Sequence, residues 1–325
     1  MNNYESGAFT IFISGESIKM TSKITNTDYD EADDYLHKPT DELKYREAYY
    51  WNWIDIETKI SGFSTIGIVP NENRREFVFL LFWDDNREFY YKEPELERFN
   101  DDINVMLQEK KLAYKCIKPL QTWQIKYDGR KLKLELAFDT RFYLYDFGRD
   151  SSASWHRHFE ASGIITGEIT LKDGTTKKIN GYGQRDKSWG FRDWFQFDKW
   201  YATHFQFKDW NCGMRKDYHN NQVDLSGSIS DKDGTLPLNE FEIETVNDTD
   251  KFKSPLKSTY YMKDVGGNEY NIKAERIHNN SFVRFTRQFP GGYTELFEQM
   301  VVMENLDTGE KGSGMMEHLR TIKSD

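Results

Sequence analysis

From Glu47 onward the chain alternates along its length. Tyr50, Asn52 and Ile54 fall on one side and Trp51, Trp53 and Asp55 on the other, a period of two that predicts a β-strand with aromatic side chains on both faces. Similar runs follow at 62–69, closed by Pro70-Asn71, at 76–83, and through Asp84-Asp85-Asn86 into 87–91. Further strands are predicted at 112–117, 122–127 and 131–138, the last two joined by Asp128-Gly129. The second half repeats the habit at 156–159, 163–171, 176–179, 199–207, 211–216, 222–228, 241–246, 258–262, 270–277, 282–289, 293–304 and 314–321, with hairpin turns at Asp173-Gly174 and Asp233-Gly234.

Three stretches break the pattern. Residues 21–45 are polar and acidic and read as an irregular arm with one helical turn. In 94–111, Leu96, Phe99, Ile103, Met106 and Leu107 recur at helical spacing behind Pro94, which predicts a helix that plugs or flanks a barrel. Residues 146–154 read as a loop dividing the halves. So many antiparallel strands leave open edges and a face to bury, and closure solves both problems. The expected fold is all-β with few helices: two antiparallel barrels sharing an interface, one in residues 1–150 behind its arm, the other in 151–325.

Composition refines this picture. Only 37% of the 325 residues are hydrophobic, yet 16% are aromatic, so apolar burial is concentrated in large flat side chains that suit pleated sheets. A net charge of -10 with no basic block argues against a nucleic-acid partner. Cys116 and Cys212 have no zinc-type spacing and are expected to be ordinary buried thiols, so neither metal nor organic cofactor is expected. Met1 to Met20 lacks the form of a signal peptide, and no apolar stretch approaches the ~18 residues of a membrane span, which points to the cytoplasm. Nothing in the pattern speaks to oligomeric state.

The densest chemistry lies in Gly181-Tyr182-Gly183-Gln184-Arg185-Asp186-Lys187-Ser188-Trp189-Gly190-Phe191-Arg192-Asp193-Trp194, where the glycines permit a bulged strand and a tight turn. If Arg185 and Asp186 are buried each needs a partner, and an internal Arg–Asp network that merely pins strands accounts for them as well as catalysis does. Searches for a GxSxG elbow, a P-loop, HExxH and a dinucleotide fingerprint find none.

This run resembles the G-x-G-x-R-D-H-S-W-G-x-R-D-W signature of a family of β-rich proteins of unknown function, distantly similar to the carotenoid 1,2-hydratase and lipocalin-like cyclase superfamily. Two further blocks, 45–53 with 62–71 and 158–167, resemble the family's N-terminal and central segments. The resemblance implies two lipocalin-like barrels and a hydrophobic pocket for an isoprenoid, polyketide or other elongated apolar molecule. Lys187 stands where the signature has His; if that His is the family's acid–base group, this protein either uses another residue or has lost the step.

Asp186, Arg185, Lys187 and His204 are the candidate catalytic residues, His204 because Trp200, Ala202, His204 and Gln206 share a strand face. His156 and His158 are alternatives to it, and Glu47 and Glu160 could anchor Arg46 or Arg185. Trp189, Trp194, Arg192, Trp51, Trp53 and Trp200 are the candidate ligand-binding residues, Trp189 and Trp194 able to stabilise a cation. Three functions follow: acid–base hydration, cyclisation or isomerisation; non-catalytic carriage of a lipid or terpenoid; and a purely structural motif in a protein that works through its surface.

Overall fold

The alternation becomes two curled antiparallel sheets in a computed structural model, which describes residues 9–13, 16–20, 22–25, 27–151 and 154–324. A hairpin of β1 (Phe9–Ile13) and β2 (Glu16–Met20) precedes a single 3-10 turn at Glu31–Asp34, the helical turn expected of the acidic arm. Residues 1–8, part of the stretch read for a signal peptide, and 152 and 153 of the expected dividing loop lie outside the described residues.

The first sheet contains β3 (Tyr45–Asp55), β4 (Ile60–Val69), β5 (Arg74–Trp83), β6 (Asn86–Lys92), β7 (Leu112–Lys118), β8 (Thr122–Asp128), β9 (Leu132–Thr140), β10 (Tyr145–Ser151), β11 (Trp155–Leu171) and β12 (Thr176–Phe191). They run in the order β6-β5-β4-β3-β12-β11-β9-β8-β7, with β10 paired to β11. The second sheet contains β13 (Lys199–Gln206), β14 (Trp210–His219), β15 (Gln222–Asp231), β16 (Gly234–Asn247), β17 (Pro255–Asp264), β18 (Glu269–Arg276), β19 (Phe282–Phe289), β20 (Gly292–Asn305) and β21 (Lys311–Lys323). Its order is β18-β17-β16-β15-β14-β13-β21-β20-β19, and pairing of β18 with β20 closes eight of these strands into a barrel. The first sheet curls around its own core and stays open.

Period-two alternation gives each central strand two jobs. Tyr49, Trp51 and Trp53 of β3 and Ala161 and Ile165 of β11 point into the first sheet's core, and Phe205, Met214, Val301, Met303 and Met316 fill the closed barrel. The opposite faces meet each other. Tyr50, Ile54, Phe63, Val78, Leu80 and Phe82 of the first sheet pack on Met300 and Met315 of the second. Aromatics on both sides of β3 therefore reflect a strand buried on both faces.

Several expectations need correction. The motif strand β12 pairs with β3 and β11, so it belongs to the first sheet and not to a second barrel beginning at 151; the passage between sheets falls between Phe191 and Lys199. Residues 145–151 form a strand where a loop was expected, and 155–171 and 176–191 are single long strands paired without a bulge. The helix predicted over 94–111 shrinks to one turn, α1 (Ile103–Met106). Two groups of hydrogen bonds compete with it: Pro94 accepts from the Arg75 N–H at 3.0 Å and Leu96 donates to the Asn73 carbonyl at 2.7 Å, while the Asn100 and Asp102 side chains accept from the backbone of 102 and 104. Leu96, Ile103, Met106 and Leu107 still reach the first core, so the apolar spacing reported burial and not helix.

Candidate functional site

On β12 the odd positions turn into the first sheet. Arg185, fully buried, makes a bidentate ion pair with Asp34, its Nη1 donating to Oδ2 at 2.8 Å, and its guanidinium lies 5.1–5.6 Å from the rings of Trp51, Trp123 and Phe159. Asp34 comes from the acidic arm and also accepts from Trp123 Nε1 at 3.3 Å. Lys187 pairs with Glu47, equally buried, with its ammonium 4.2 Å from the Tyr49 ring. Glu47 further accepts from the His37 N–H at 3.0 Å and Tyr45 Oη at 2.8 Å. Burial pushes the Glu47 carboxyl up, but Lys187 and His37 outweigh it and hold the group below its ordinary range. The His37 ring stacks on Trp189 with centroids 3.7 Å apart, closing the inner end of the motif.

The even positions turn outward, into a cleft between the sheets. Gln184 and Asp186 line it beside His158 and Glu160 from β11, Arg46 and Tyr50 from β3, Trp200 from β13, Arg215 from β14, Glu298 from β20 and Glu317 from β21. Arg192 and Trp194 close it from the segment after β12, where Gly190, at φ +119°, ends the strand with its backbone pressed against His156. The inner cavity measures about 130 Å³, and Arg46, Arg192, Trp194 and Glu298 also line an outer cavity of about 440 Å³.

Glu160 and Asp186 face each other across the β11–β12 ladder, and His158 lies two residues along the same face. His158 Nε2 is 3.6 Å from Asp186 Oδ2 and 3.9 Å from Glu160 Oε1. Its ring is fixed by stacking on Phe147 at 4.6 Å and by the edge of Trp155 at 4.7 Å. Glu298 meets Tyr50 Oη at 3.3 Å, and Glu317 accepts from Trp200 Nε1 at 2.6 Å.

Four carboxyls therefore share a small space with three arginines, and the arginines are largely committed elsewhere. Arg46 pairs with Glu76 and Arg215 with Asp217, while Arg192 donates to Ser188 Oγ at 2.7 Å and meets no carboxylate among the described residues. Burial, reinforced by Asp186 and Glu317, raises the Glu160 carboxyl well above its ordinary value. Burial and Glu317 do the same to Glu298. Burial takes Glu317 to about 7 despite Arg215 and Trp200, and lowers Arg192 to about 10 with Arg46 adding to the effect. Three carboxyls of the cleft are thus pushed toward their protonated form.

Of the sequence candidates, the cleft gathers Asp186, Arg192, Trp194 and Trp200, together with His158, Glu160 and Arg46, whereas His156 faces Glu42. Arg185 and Lys187 lie on the opposite face, locked to Asp34 and Glu47, because residues one apart on a strand point to opposite sides. Trp51 and Trp53 are first-core residues, and Trp189 packs with Tyr29, Tyr45 and Phe159. His204 faces the first sheet but outside the cleft: its Nε2 lies 2.8 Å from Ser162 Oγ, and burial lowers its pKa to about 3. Glu298 and Glu317 escaped sequence reading. Their signal was a glutamate on an otherwise apolar strand face, between Leu296 and Met300 in one case and Met315 and Leu319 in the other.

Two curled β-sheets enclosing an acidic, aromatic-lined cleft define the class of protein, and comparison places it. Residues 30–322 match a family described as a domain of unknown function (DUF7064), and the chain belongs to that family. Comparison with curated protein sequences finds no match. Among solved structures, a Nitrosomonas europaea protein provisionally described as an AttH aligns over 92% of this chain and 98% of its own, with a TM-score of 0.64 at 11% identity. Kievitone hydratase from Nectria haematococca aligns over 85% and 89%, with a TM-score of 0.58 at 9% identity. At these identities the likeness is one of fold. No helix among the described residues is long and apolar enough to cross a membrane.

Proposed function

We propose that the intersheet cleft catalyses acid–base addition or removal of water, or a related cyclisation or isomerisation, on an elongated, largely apolar molecule. The observation that carries this reading is the juxtaposition, in one aromatic-lined cavity, of Glu298 and Glu317 with Asp186 and His158. A carboxyl of Glu298 or Glu317 gives its proton to an alkene or carbonyl of the ligand. Trp194 borders the cation that results, while the Trp200 ring already holds the Arg215 guanidinium 4.1 Å from its centroid. Water adds to that cation and releases a proton to Asp186 or His158, and exchange with solvent restores the acid. The outer cavity, opening between Arg46 and Arg192, seats the remainder of the molecule. A solved structure of the same fold that is a hydratase supports the reading by analogy.

The test is incubation with unsaturated terpenoids and polyketides, followed by mass spectrometry for mass-neutral or plus-water products. Conversion by the wild type that disappears in Asp186→Asn and Glu298→Gln is the expected result. Turnover that survives both substitutions overturns it. An apolar molecule bound to the freshly purified protein and released unchanged favours carriage instead.

A further inference from the structure

We propose that His158, Glu160 and Asp186 bind a divalent transition-metal ion on the β11–β12 wall of the cleft. The ladder itself assembles the set: Glu160 and Asp186 are directly opposed and His158 stands one pleat along, so all three project from one face. One donor atom from each lies within 4.8 Å of the others.

The separations between these atoms are informative. At 3.6 and 3.9 Å, His158 Nε2 is too far from Asp186 and Glu160 to hydrogen-bond either carboxylate. Donors bound tetrahedrally to one ion at about 2.1 Å stand about 3.4 Å apart, so a small inward movement converts this spacing into ligation. The unsatisfied atoms point the same way. His158 is only 7% exposed, yet among the described residues neither ring nitrogen has a hydrogen-bond partner, and Glu160 Oε2 is buried without one. Buried polar atoms are nearly always satisfied, and an ion is one of the partners that completes such a set. Phe147 stacks on the imidazole and Trp155 meets it at 65°, contacts made with the ring and not by a hydrogen bond to its nitrogens.

Charge supports the assignment. Two carboxyls opposed across a ladder repel when ionised, and of the three arginines lining the cleft Arg46 and Arg215 are engaged by Glu76 and Asp217, while Arg192 donates to Ser188 Oγ and forms no ion pair with either carboxyl. A dication removes that repulsion. One imidazole and two carboxylates suit zinc, manganese or ferrous iron better than calcium or magnesium, and a site without thiolate disfavours copper(I). With the ion bound, Asp186 and His158 are ligands and no longer proton acceptors, and three protein ligands leave positions for a water whose acidity the ion would raise. That catalytic consequence rests on the hydration reading, whereas binding of the ion does not.

The experiment uses the full chain, stripped with chelator and titrated calorimetrically with zinc(II) and manganese(II) alone, with cobalt(II) added as a spectroscopic probe of imidazole ligation. The expected result is one saturable equivalent, weakened about tenfold or more in Glu160→Gln and His158→Ala. His219→Ala, which alters the His219–Asp224 pair outside the cleft, serves as the control and leaves binding unchanged. Absence of saturable uptake by the wild type, or uptake that both cleft variants retain, overturns the proposal. Should either variant fail to fold, an absence of ligand-field bands from cobalt(II) in the wild type overturns it equally. Turnover by metal-free protein would leave the acid–base reading standing and remove the ion from the reaction. Metal uptake without turnover would do the reverse.

Discussion

On the inner face of β12, Arg185 and Lys187 each meet a carboxylate of their own, Asp34 and Glu47; on the outer face Asp186 and Glu160 meet each other and His158. Both faces are removed from bulk water, and both carry charged residues from one short motif. The inner charges are paired one to one and wrapped in aromatic rings, which is how a fold tolerates buried ions. The outer carboxyls have no such partners, and they border open space. Balanced charge marks architecture here, and unbalanced charge is what the proposed chemistry draws on.

Substitutions on the two faces should therefore differ in kind. The largest effect is expected from Asp34→Ala, which strands Arg185 without a counter-charge and should cost about 3–5 kcal/mol in denaturant unfolding. A loss below about 1 kcal/mol would break the comparison, because the inner pairs would then not be structural. Asp186→Asn should do the opposite: thermal unfolding stays close to wild type, since a like-charge contact with Glu160 is relieved, while turnover falls by about 10²–10⁴-fold.

Lys187→His restores the residue of the signature that the motif resembles. An imidazolium can still face Glu47, so a stability loss of at most about 2 kcal/mol is expected by thermal unfolding, with turnover retained. Loss of turnover in a folded Lys187→His protein would show that the inner face reaches the chemistry.

The smallest effect concerns pH. Glu317 is raised from 4.5 to about 7, so the folded chain holds a proton that the unfolded chain releases. Its contribution to stability is full below about 4.5 and is lost as pH rises through about 7. Glu317→Gln should flatten that part of the stability profile, read as Tm against pH. Unchanged curvature would place Glu317 in a wetter setting than the cleft provides.

Much of the architecture was legible because it is written locally. Alternation in β3 and hairpin turns such as Asp173-Gly174 and Asp233-Gly234 announce strands and their connections without reference to anything distant. The motif could be located for the same reason, since two tryptophans and five charges in one run are visible in any one-dimensional reading. The helix over 94–111 failed because its apolar spacing is local but its backbone partners, Asn73 and Arg75, are not.

What the amino-acid order determined by itself was strand, turn and the parity of each side chain: Arg185 and Lys187 must share one face and Asp186 the other, whatever surrounds them. Which face became core and which became cleft was decided only by tertiary structure. Asp34 lies 151 positions from Arg185, and Glu298 and Glu317 come from the last two strands, so the contacts that neutralise one face and leave the carboxyls of the other uncompensated exist only once the sheets have curled and met. Charge is a property of the residue, but whether it is compensated depends on what lies a few ångströms away in space.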